Sequence, residues 1–254
     1  MHDFLKLGAW FFSGAWCLVL GISSPQAPAQ STPTNPASLY ETRSAHDPNG
    51  IGKFFMGREI AHVMGHDGGA EWLERPERER EEQPALLLPA LKLKPGDAVA
   101  DIGAGTGFYT RRLAKAVGTN GLVYAVEIQQ AMLDDLTNNM AQLSIHNVNP
   151  VLGTITDPHL PADSIDLIFM VDVYHEFDHP YEMIQAMTRA LKPNGRMVFI
   201  EFRAEDPKVP IKTVHKMTEA QVRKEMSIHP LAFVEANEVL PWQHILIFRK
   251  TTSE

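Results

Sequence analysis

A strand–turn–helix pattern at residues 99–117 carries the clearest chemical signal in the sequence. An apolar stretch containing Asp101 runs into the turn Gly103-Ala104-Gly105-Thr106-Gly107, and a helical pattern follows over 108–117. Glycines at such a turn let a nucleotide approach the backbone, because they carry no side chain. The third glycine comes one residue too early for the spacing of dinucleotide sites, and Phe108 takes the sixth position. The turn therefore predicts a nucleotide-like cofactor that has no pyrophosphate and carries an amino-acid tail.

A second acid, Glu127, supports this interpretation. It ends a second apolar stretch at 121–127, which we predict to be the next buried strand. In doubly wound folds a carboxylate about 20 residues past the glycine turn binds the hydroxyls of a ribose. Glu127 is therefore the predicted ribose ligand.

With these features the chain resembles the class I S-adenosylmethionine (SAM)-dependent methyltransferases. The resemblance covers residues 95–250 and rests on D-I-G-A-G-T-G at 101–107, V-E at 126–127, Leu160-Pro161 with Asp166, and L-K-P-N-G at 191–195. It implies SAM as the cofactor. The cofactor-binding residues that it implies are Asp101, Gly103, Ala104, Gly105, Gly107, Glu127, Ile128 and Asp157.

The loop at 153–161 departs from the family pattern. In the resembling family a polar residue of this loop reads the adenine amino group. Thr154 stands where an acid is common, and Asp157 follows three residues later. Asp157 is therefore the predicted adenine contact.

The loop after the apolar stretch 165–171 holds the candidate catalytic residues. That stretch is typical of a central strand in a parallel sheet, and ligands bind at the carboxyl ends of such strands. We expect the loop 172–176 to face the methyl acceptor. His175 is the predicted general base, with Tyr174 and Asp172 behind it, and a packed loop histidine is the alternative.

Residues 175–179 also match the H-E-x-x-H pattern of zinc peptidases. That pattern needs a helix to direct both histidines at one ion, whereas here it follows a strand and precedes Pro180. We therefore expect no bound metal. Metal-assisted methyl transfer through Asp172 and Glu201 is disfavoured because no Asp-Asn pair follows the apolar stretch 196–202. A zinc hydrolase and a non-catalytic SAM-binding protein remain the two alternative functions.

Composition narrows the choice of partners. The 254 residues carry a formal net charge of −8 with no basic tract, which disfavours nucleic acid as a substrate. Cys17 is the single cysteine, so the rest of the chain forms neither a disulfide nor a thiolate site. A small-molecule or lipid-like acceptor is the predicted partner, and the oligomeric state stays open.

The N-terminus has the composition of a secretory signal. An apolar run at 9–22 is short for a membrane span, and Ala27-Pro28-Ala29 is an A-x-A cleavage site. We predict a signal peptide over 1–29, a linker over 30–50 and export to the periplasm, with no stable membrane span after cleavage. A misassigned start codon would instead leave a cytoplasmic enzyme. The N-terminal part also resembles a group of bacterial predicted methyltransferases that carry signal peptides.

Residues 51–94 are predicted to form a helical lid. We expect a short helix from Gly57 that places His62 and His66 on one face, and a longer helix from Pro76 through Leu91. The histidines could bind a metal or cap the helix. Arg58 is a candidate clamp for a carboxylate or phosphate, or a partner in a surface ion pair.

The alternating strand and helix patterns set the fold class. They predict an α/β, doubly wound, mostly parallel seven-stranded sheet over residues 95–254, and the resemblance implies that this sheet is of the Rossmann-like methyltransferase type. The resemblance implies a closing antiparallel hairpin at the C-terminus.

Overall fold

The computed structural model describes residues 35–251. The predicted signal peptide, including Cys17, and the first residues of the predicted linker lie outside the described residues. Two sheets and seven α-helices make up the described part of the chain. Within it, no helix has both the length and the apolar character needed to cross a membrane.

The strands and helices follow one another in the order that the sequence predicts beyond residue 95. The strands are β1 (Tyr40–Thr42), β2 (Gly50–Phe55), β3 (Arg58–Ala61), β4 (Ala98–Ile102), β5 (Leu122–Glu127), β6 (Val148–Leu152), β7 (Ile165–Val171), β8 (Leu191–Phe202), β9 (Leu231–Asn237) and β10 (Gln243–Lys250). The helices are α1 (His66–Leu73), α2 (Arg78–Glu81), α3 (Pro84–Ala90), α4 (Thr110–Val117), α5 (Gln130–Gln142), α6 (Pro180–Ala190) and α7 (Glu219–Met226).

The large sheet confirms the predicted fold class. Its strand order is β6-β5-β4-β7-β8-β10-β9, and the first five strands are parallel. Strand β10 pairs antiparallel with both β8 and β9, which forms the predicted C-terminal hairpin. This is the doubly wound arrangement in which ligands bind beyond the carboxyl ends of the parallel strands.

Both faces of the sheet are buried under helices. Along β7, Ile168 and Met170 belong to an apolar cluster that includes residues of α6 and α7. Leu167 and Phe169 point the other way, into a cluster that includes residues of α3 and α4. Because side chains alternate along a strand, a strand covered on both faces is apolar along its covered length, as β7 is from Leu167 to Val171.

The N-terminal region differs from the prediction. The helix expected from Gly57 is wrong, because β2 and β3 form an antiparallel hairpin there. Met56 and Gly57 both have positive φ, 49° and 96°, as a two-residue hairpin turn requires. His62 follows β3 while His66 begins α1, so the two histidines do not share a helix face.

The long helix expected from Pro76 through Leu91 is also wrong, since α2 and α3 are separate. Gln83, between them, has a left-handed φ of 44° and directly precedes Pro84. The proline ring disfavours the helical conformation in the residue before it, so the chain turns at Gln83 and a new helix begins.

A buried ion pair joins the N-terminal sheet to the rest of the protein. Arg58 in β3 donates from Nε and Nη2 to the two carboxylate oxygens of Glu225 in α7, at 2.8 and 3.0 Å. The hydroxyl of Tyr174 donates to the same carboxylate at 2.6 Å, and Nη1 of Arg58 donates to the His175 carbonyl at 3.1 Å. Arg58 is therefore a carboxylate clamp, and the carboxylate belongs to the protein itself.

We expect Glu225→Ala to lower the free energy of unfolding by about 3–5 kcal/mol, because it leaves the Arg58 charge buried without a partner. Urea unfolding followed by circular dichroism measures this. The matched control is Glu219→Ala on the same helix, which removes a partly exposed pair with Arg223 and should cost less than about 1 kcal/mol. Equal losses from the two variants would contradict the assignment.

Candidate active site

A cavity lies at the carboxyl ends of β4, β5 and β7, and its empty space together with the solvent at its mouth is about 1080 Å³. Its floor is built from the ends of these strands and from the glycine turn. Its other wall comes from residues 63–78, which cross over the turn. The lining residues are Val63, Met64, Leu73, Arg78, Asp101, Ile102, Gly103, Ala104, Gly105, Phe108, Tyr109, Val126, Glu127, Ile128, Gln129, Met132, Ile155, Val171, Asp172, Val173, Glu176, Phe177, Asp178 and Met183.

The glycine turn has room for no side chain at its first two glycines. Gly103 has a φ of 68°, and a Cβ there would collide with the side chain of Val173. Gly105 has a φ of 54°, and a Cβ there would lie 2.6 Å from Cδ1 of Leu73. Backbone conformation and space both require glycine at these positions, so Val173 and Leu73 can pack directly against the turn that lines the cavity.

Glu127 is held at the end of β5 by backbone amides. Its Oε2 accepts the N–H of Gly105 at 3.1 Å, and its Oε1 accepts the N–H groups of Ile128 and Gln129 at 2.7 and 3.0 Å. A carboxylate offers about four acceptor positions, and these three amides leave one of them, on Oε2, for a hydroxyl donor. The carboxylate is thus fixed against the turn before any ligand arrives, as a ribose ligand should be.

The cavity is strongly acidic. Among its lining residues in the described chain, five are carboxylic acids and only Arg78 is basic. Burial raises the pKa of Asp101 to about 7, although its bond from the Thr110 hydroxyl at 2.6 Å opposes this shift. Burial likewise raises the pKa of Glu176 to about 7. A cationic ligand would stabilise both carboxylates in their charged form, and SAM carries a sulfonium and an ammonium group.

Asp172 has two features typical of a functional residue. Its φ of 52° is left-handed, which is strained for a residue other than glycine. Its Oδ2 accepts from Nε2 of Gln243 at 2.6 Å, whereas its buried Oδ1 has no hydrogen-bond partner in the described residues. Burial raises its pKa well above the ordinary aspartate value.

Of the three predicted catalytic residues, only Asp172 lines the cavity. Tyr174 is fully buried, and its hydroxyl is bonded to Glu225. His175 is also buried, with Nδ1 2.6 Å from Oε2 of Glu201 and Nε2 3.1 Å from Nδ1 of His215. Burial disfavours charge on His175, but the Glu201 carboxylate outweighs it and raises the pKa. The expectation that His175 faces the acceptor is therefore corrected, because the loop turns its ring into the protein.

The H-E-x-x-H pattern does not form a zincin site. Residues Tyr174–Glu176 form a single 3-10 turn, and His179 precedes Pro180 as the N-cap of α6. The two histidines therefore do not lie on one helix face, which removes the geometric basis of the zinc-hydrolase alternative.

Two predicted cofactor residues lie off the cavity wall. Gly107 packs against Leu136 and Met140 of α5. The carboxylate of Asp157 accepts the N–H of His159, and Ile155 from the same loop lines the cavity instead. The remaining predicted residues, which all line the cavity, are Asp101, Gly103, Ala104, Gly105, Glu127 and Ile128. The adenine contact of Asp157 stays a prediction.

Arg78, which no sequence motif marks, anchors the segment over the cavity. Nε of Arg78 donates to the Glu82 carboxylate at 2.7 Å, and the same carboxylate accepts the hydroxyl of Tyr109 at 2.9 Å. The guanidinium of Arg78 lies 4.2 Å from the centre of the Phe108 ring. In the sequence Arg78 is one of several charges in the run 74–82, and only its burial distinguishes it. No local pattern could have singled it out.

Comparison with known proteins agrees with this geometry. The family described as "Methyltransferase domain" matches residues 93–246, more than half of the chain. The chain belongs to this family. The predicted SAM-dependent methyltransferase class is thus confirmed, and the cofactor of the family is SAM. The acidic cavity, the glycine turn and the anchored Glu127 fit that cofactor.

Curated relatives cover a smaller part of the chain. It is 30% identical over 111 residues to the ubiquinone/menaquinone biosynthesis C-methyltransferase UbiE of Ectopseudomonas mendocina, which is 43% of each chain. The UbiE protein of Vibrio campbellii is 31% identical over 113 residues, 43% of this chain and 42% of that one. The chain thus matches less than half the length of these relatives.

Solved structures share the fold. A SAM-dependent methyltransferase from Aquifex aeolicus superimposes with a TM-score of 0.70 and 24% identity, over 74% of this chain and all of that one. A putative type 11 methyltransferase from Sulfolobus solfataricus gives a TM-score of 0.56 and 22% identity, over 68% of this chain and 95% of that one.

We expect SAM affinity to rise with pH across neutrality. Asp101, with a pKa of about 7, is neutral at pH 6 and charged at pH 8, and the charged form attracts the cationic cofactor. This group alone predicts a dissociation constant roughly tenfold lower at pH 8 than at pH 6. Calorimetric titration at several pH values measures it.

The matched variant for this experiment is Asp101→Asn. It should weaken binding at pH 8 and flatten the pH dependence, leaving the part contributed by Glu176. Affinity that is the same at pH 6 and pH 8 in the wild type would contradict the role of these carboxylates.

Proposed function

We propose that the protein transfers the methyl group of SAM to a small, mostly apolar acceptor. The observation that carries the proposal is that one cavity is lined both by the predicted cofactor-binding residues and by exposed apolar side chains. The glycine turn and Glu127 form the floor, while Val63 and Met64 lie at the entrance and are 43% and 39% exposed. Exposed apolar side chains around a cavity favour a ligand with an apolar body.

The curated relatives support the same class of acceptor. Their names assign them C-methylation in ubiquinone and menaquinone biosynthesis. A quinone-type ring with an apolar substituent would fit the apolar entrance of this cavity. We therefore propose an aromatic or lipid-like small molecule as the acceptor.

In this proposal the protein supplies orientation, a dry site and a proton acceptor. SAM, when bound, supplies the electrophilic methyl group. Glu127 and the glycine turn form the surface that holds the cofactor, and residues 63–78 exclude water from one side. Asp172 accepts a proton from the acceptor at its unpaired Oδ1, since desolvation makes this carboxylate a stronger base than an exposed one.

The first test separates cofactor binding from catalysis. We expect SAM and its demethylated product to bind in calorimetry, and Glu127→Ala to weaken both. With methyl-labelled SAM and a panel of phenols, quinols and bacterial lipid extract, label should enter the organic phase. Binding without transfer to any acceptor would instead favour a non-catalytic SAM-binding protein.

We expect Asp172→Asn to lower kcat by about 10²- to 10⁴-fold while SAM affinity changes little, because it removes the base but keeps the shape of the side chain. The control is Asp163→Asn, an exposed aspartate that also has a left-handed φ, of 47°. Asparagine tolerates this conformation about as well as aspartate. An unchanged kcat in Asp172→Asn would remove Asp172 from the proposal.

A further inference from the structure

We propose that His175, Glu176 and His215 bind a divalent transition-metal ion of the zinc class beside the acceptor end of the cavity. This site is distinct from the H-E-x-x-H pattern, because its second histidine comes from a different part of the chain. His215 ends the 3-10 turn Thr213–His215, which packs against the turn Tyr174–Glu176. The proposal goes beyond methyl transfer and does not require it.

The three candidate ligand atoms converge on one point. Nε2 of His175 lies 3.1 Å from Nδ1 of His215, and Oε1 of Glu176 lies 3.9 and 3.8 Å from these two nitrogens. Ligands placed about 2.0–2.1 Å from a tetrahedral ion lie about 3.3 Å from one another. The observed separations fall on both sides of that value, so small side-chain shifts would complete the site.

The ligand atoms can coordinate once the proton shared by His175 Nε2 and His215 Nδ1 is lost, because metal binding displaces such protons. Glu176 accepts the backbone N–H of Met64 through Oε2, which leaves Oε1 to face the two histidines. The two imidazole rings meet nearly edge to face, at 80°, so their nitrogens approach the same point from different directions. Two neutral imidazoles and one carboxylate are a ligand set that zinc and similar ions favour.

Glu201 supplies the outer support that metal-binding histidines usually have. Its Oε2 lies 2.6 Å from Nδ1 of His175, and its Oε1 accepts the backbone N–H of Tyr174 at 2.9 Å. A carboxylate in this position accepts the Nδ1 proton, so the lone pair of His175 lies on Nε2, towards His215 and Glu176. Glu201 is completely buried, and a positive ion nearby would compensate its charge.

The position of the site gives it an open side. The His215 side chain is 22% exposed, which provides a route from solvent. Glu176 also lines the cavity, so an ion held by its carboxylate would adjoin the bound acceptor. Three protein ligands leave a fourth position for water or for an oxygen of the acceptor, as in catalytic zinc sites.

Metal titration of the full, untagged protein tests the proposal. After treatment with a chelator, we expect the protein to bind one equivalent of Zn²⁺ in calorimetry. Co²⁺ should give the intense visible absorption of a four-coordinate ion. His215→Ala and Glu176→Gln should each abolish the cobalt spectrum, and Glu201→Gln should weaken Zn²⁺ binding about 10- to 100-fold.

The matched control is His146→Ala, which removes an exposed histidine outside the cluster and should leave one equivalent bound. Absence of binding to the folded wild type would overturn the proposal, as would an unchanged cobalt spectrum in both ligand variants. Loss of binding in His146→Ala would place the ion elsewhere. SAM titration of the same samples is a separate readout, so failure of this site leaves the proposed methyl transfer untouched.

Discussion

The structure depends on burying four carboxylates side by side at one edge of the sheet. Glu127, Asp101, Asp172 and Glu201 lie at the carboxyl ends of neighbouring strands, in that order across β5, β4, β7 and β8. Each ionised carboxylate removed from water costs several kcal/mol unless it is paired. Each acid therefore needs a partner. The partners come from the glycine turn and the residues after β5 for Glu127, from α4 for Asp101, from β10 for Asp172 and from the loop after β7 for Glu201.

The four carboxylates differ in how many hydrogen-bond and ion-pair partners they have, and this difference suits them to different roles. Glu127 accepts three backbone amides and Glu201 pairs with His175, so both are fixed in place. Asp101 has one hydroxyl donor, and Asp172 has one oxygen without a partner. Fixed carboxylates suit the binding and positioning of a ligand, whereas under-compensated ones suit cation attraction and proton transfer.

Local patterns were sufficient for the large sheet and for the glycine turn that lines the cavity. The apolar run of β7 and the glycine turn at 103–107 have causes confined to a few neighbouring residues, so the sequence predicts them correctly. The orientation of His175 depends on Glu201 and His215, which are 26 and 40 positions away. The burial of Arg78 depends on the aromatic rings of Phe108 and Tyr109, which come after β4 in the chain. Such contacts come from tertiary packing, which no short window of sequence contains.

The Arg58–Glu225 pair also constrains how the chain can fold. Its two members are separated by 167 positions, so a very long loop must close before the pair forms. Arg58 emerges early in synthesis, but the carboxylate that it needs belongs to a helix near the C-terminus. The N-terminal hairpin therefore cannot reach its final contacts until nearly the whole chain has left the ribosome. Docking of the hairpin on α7 therefore comes late in synthesis or after it, and such long-range contacts are of the kind that slow folding.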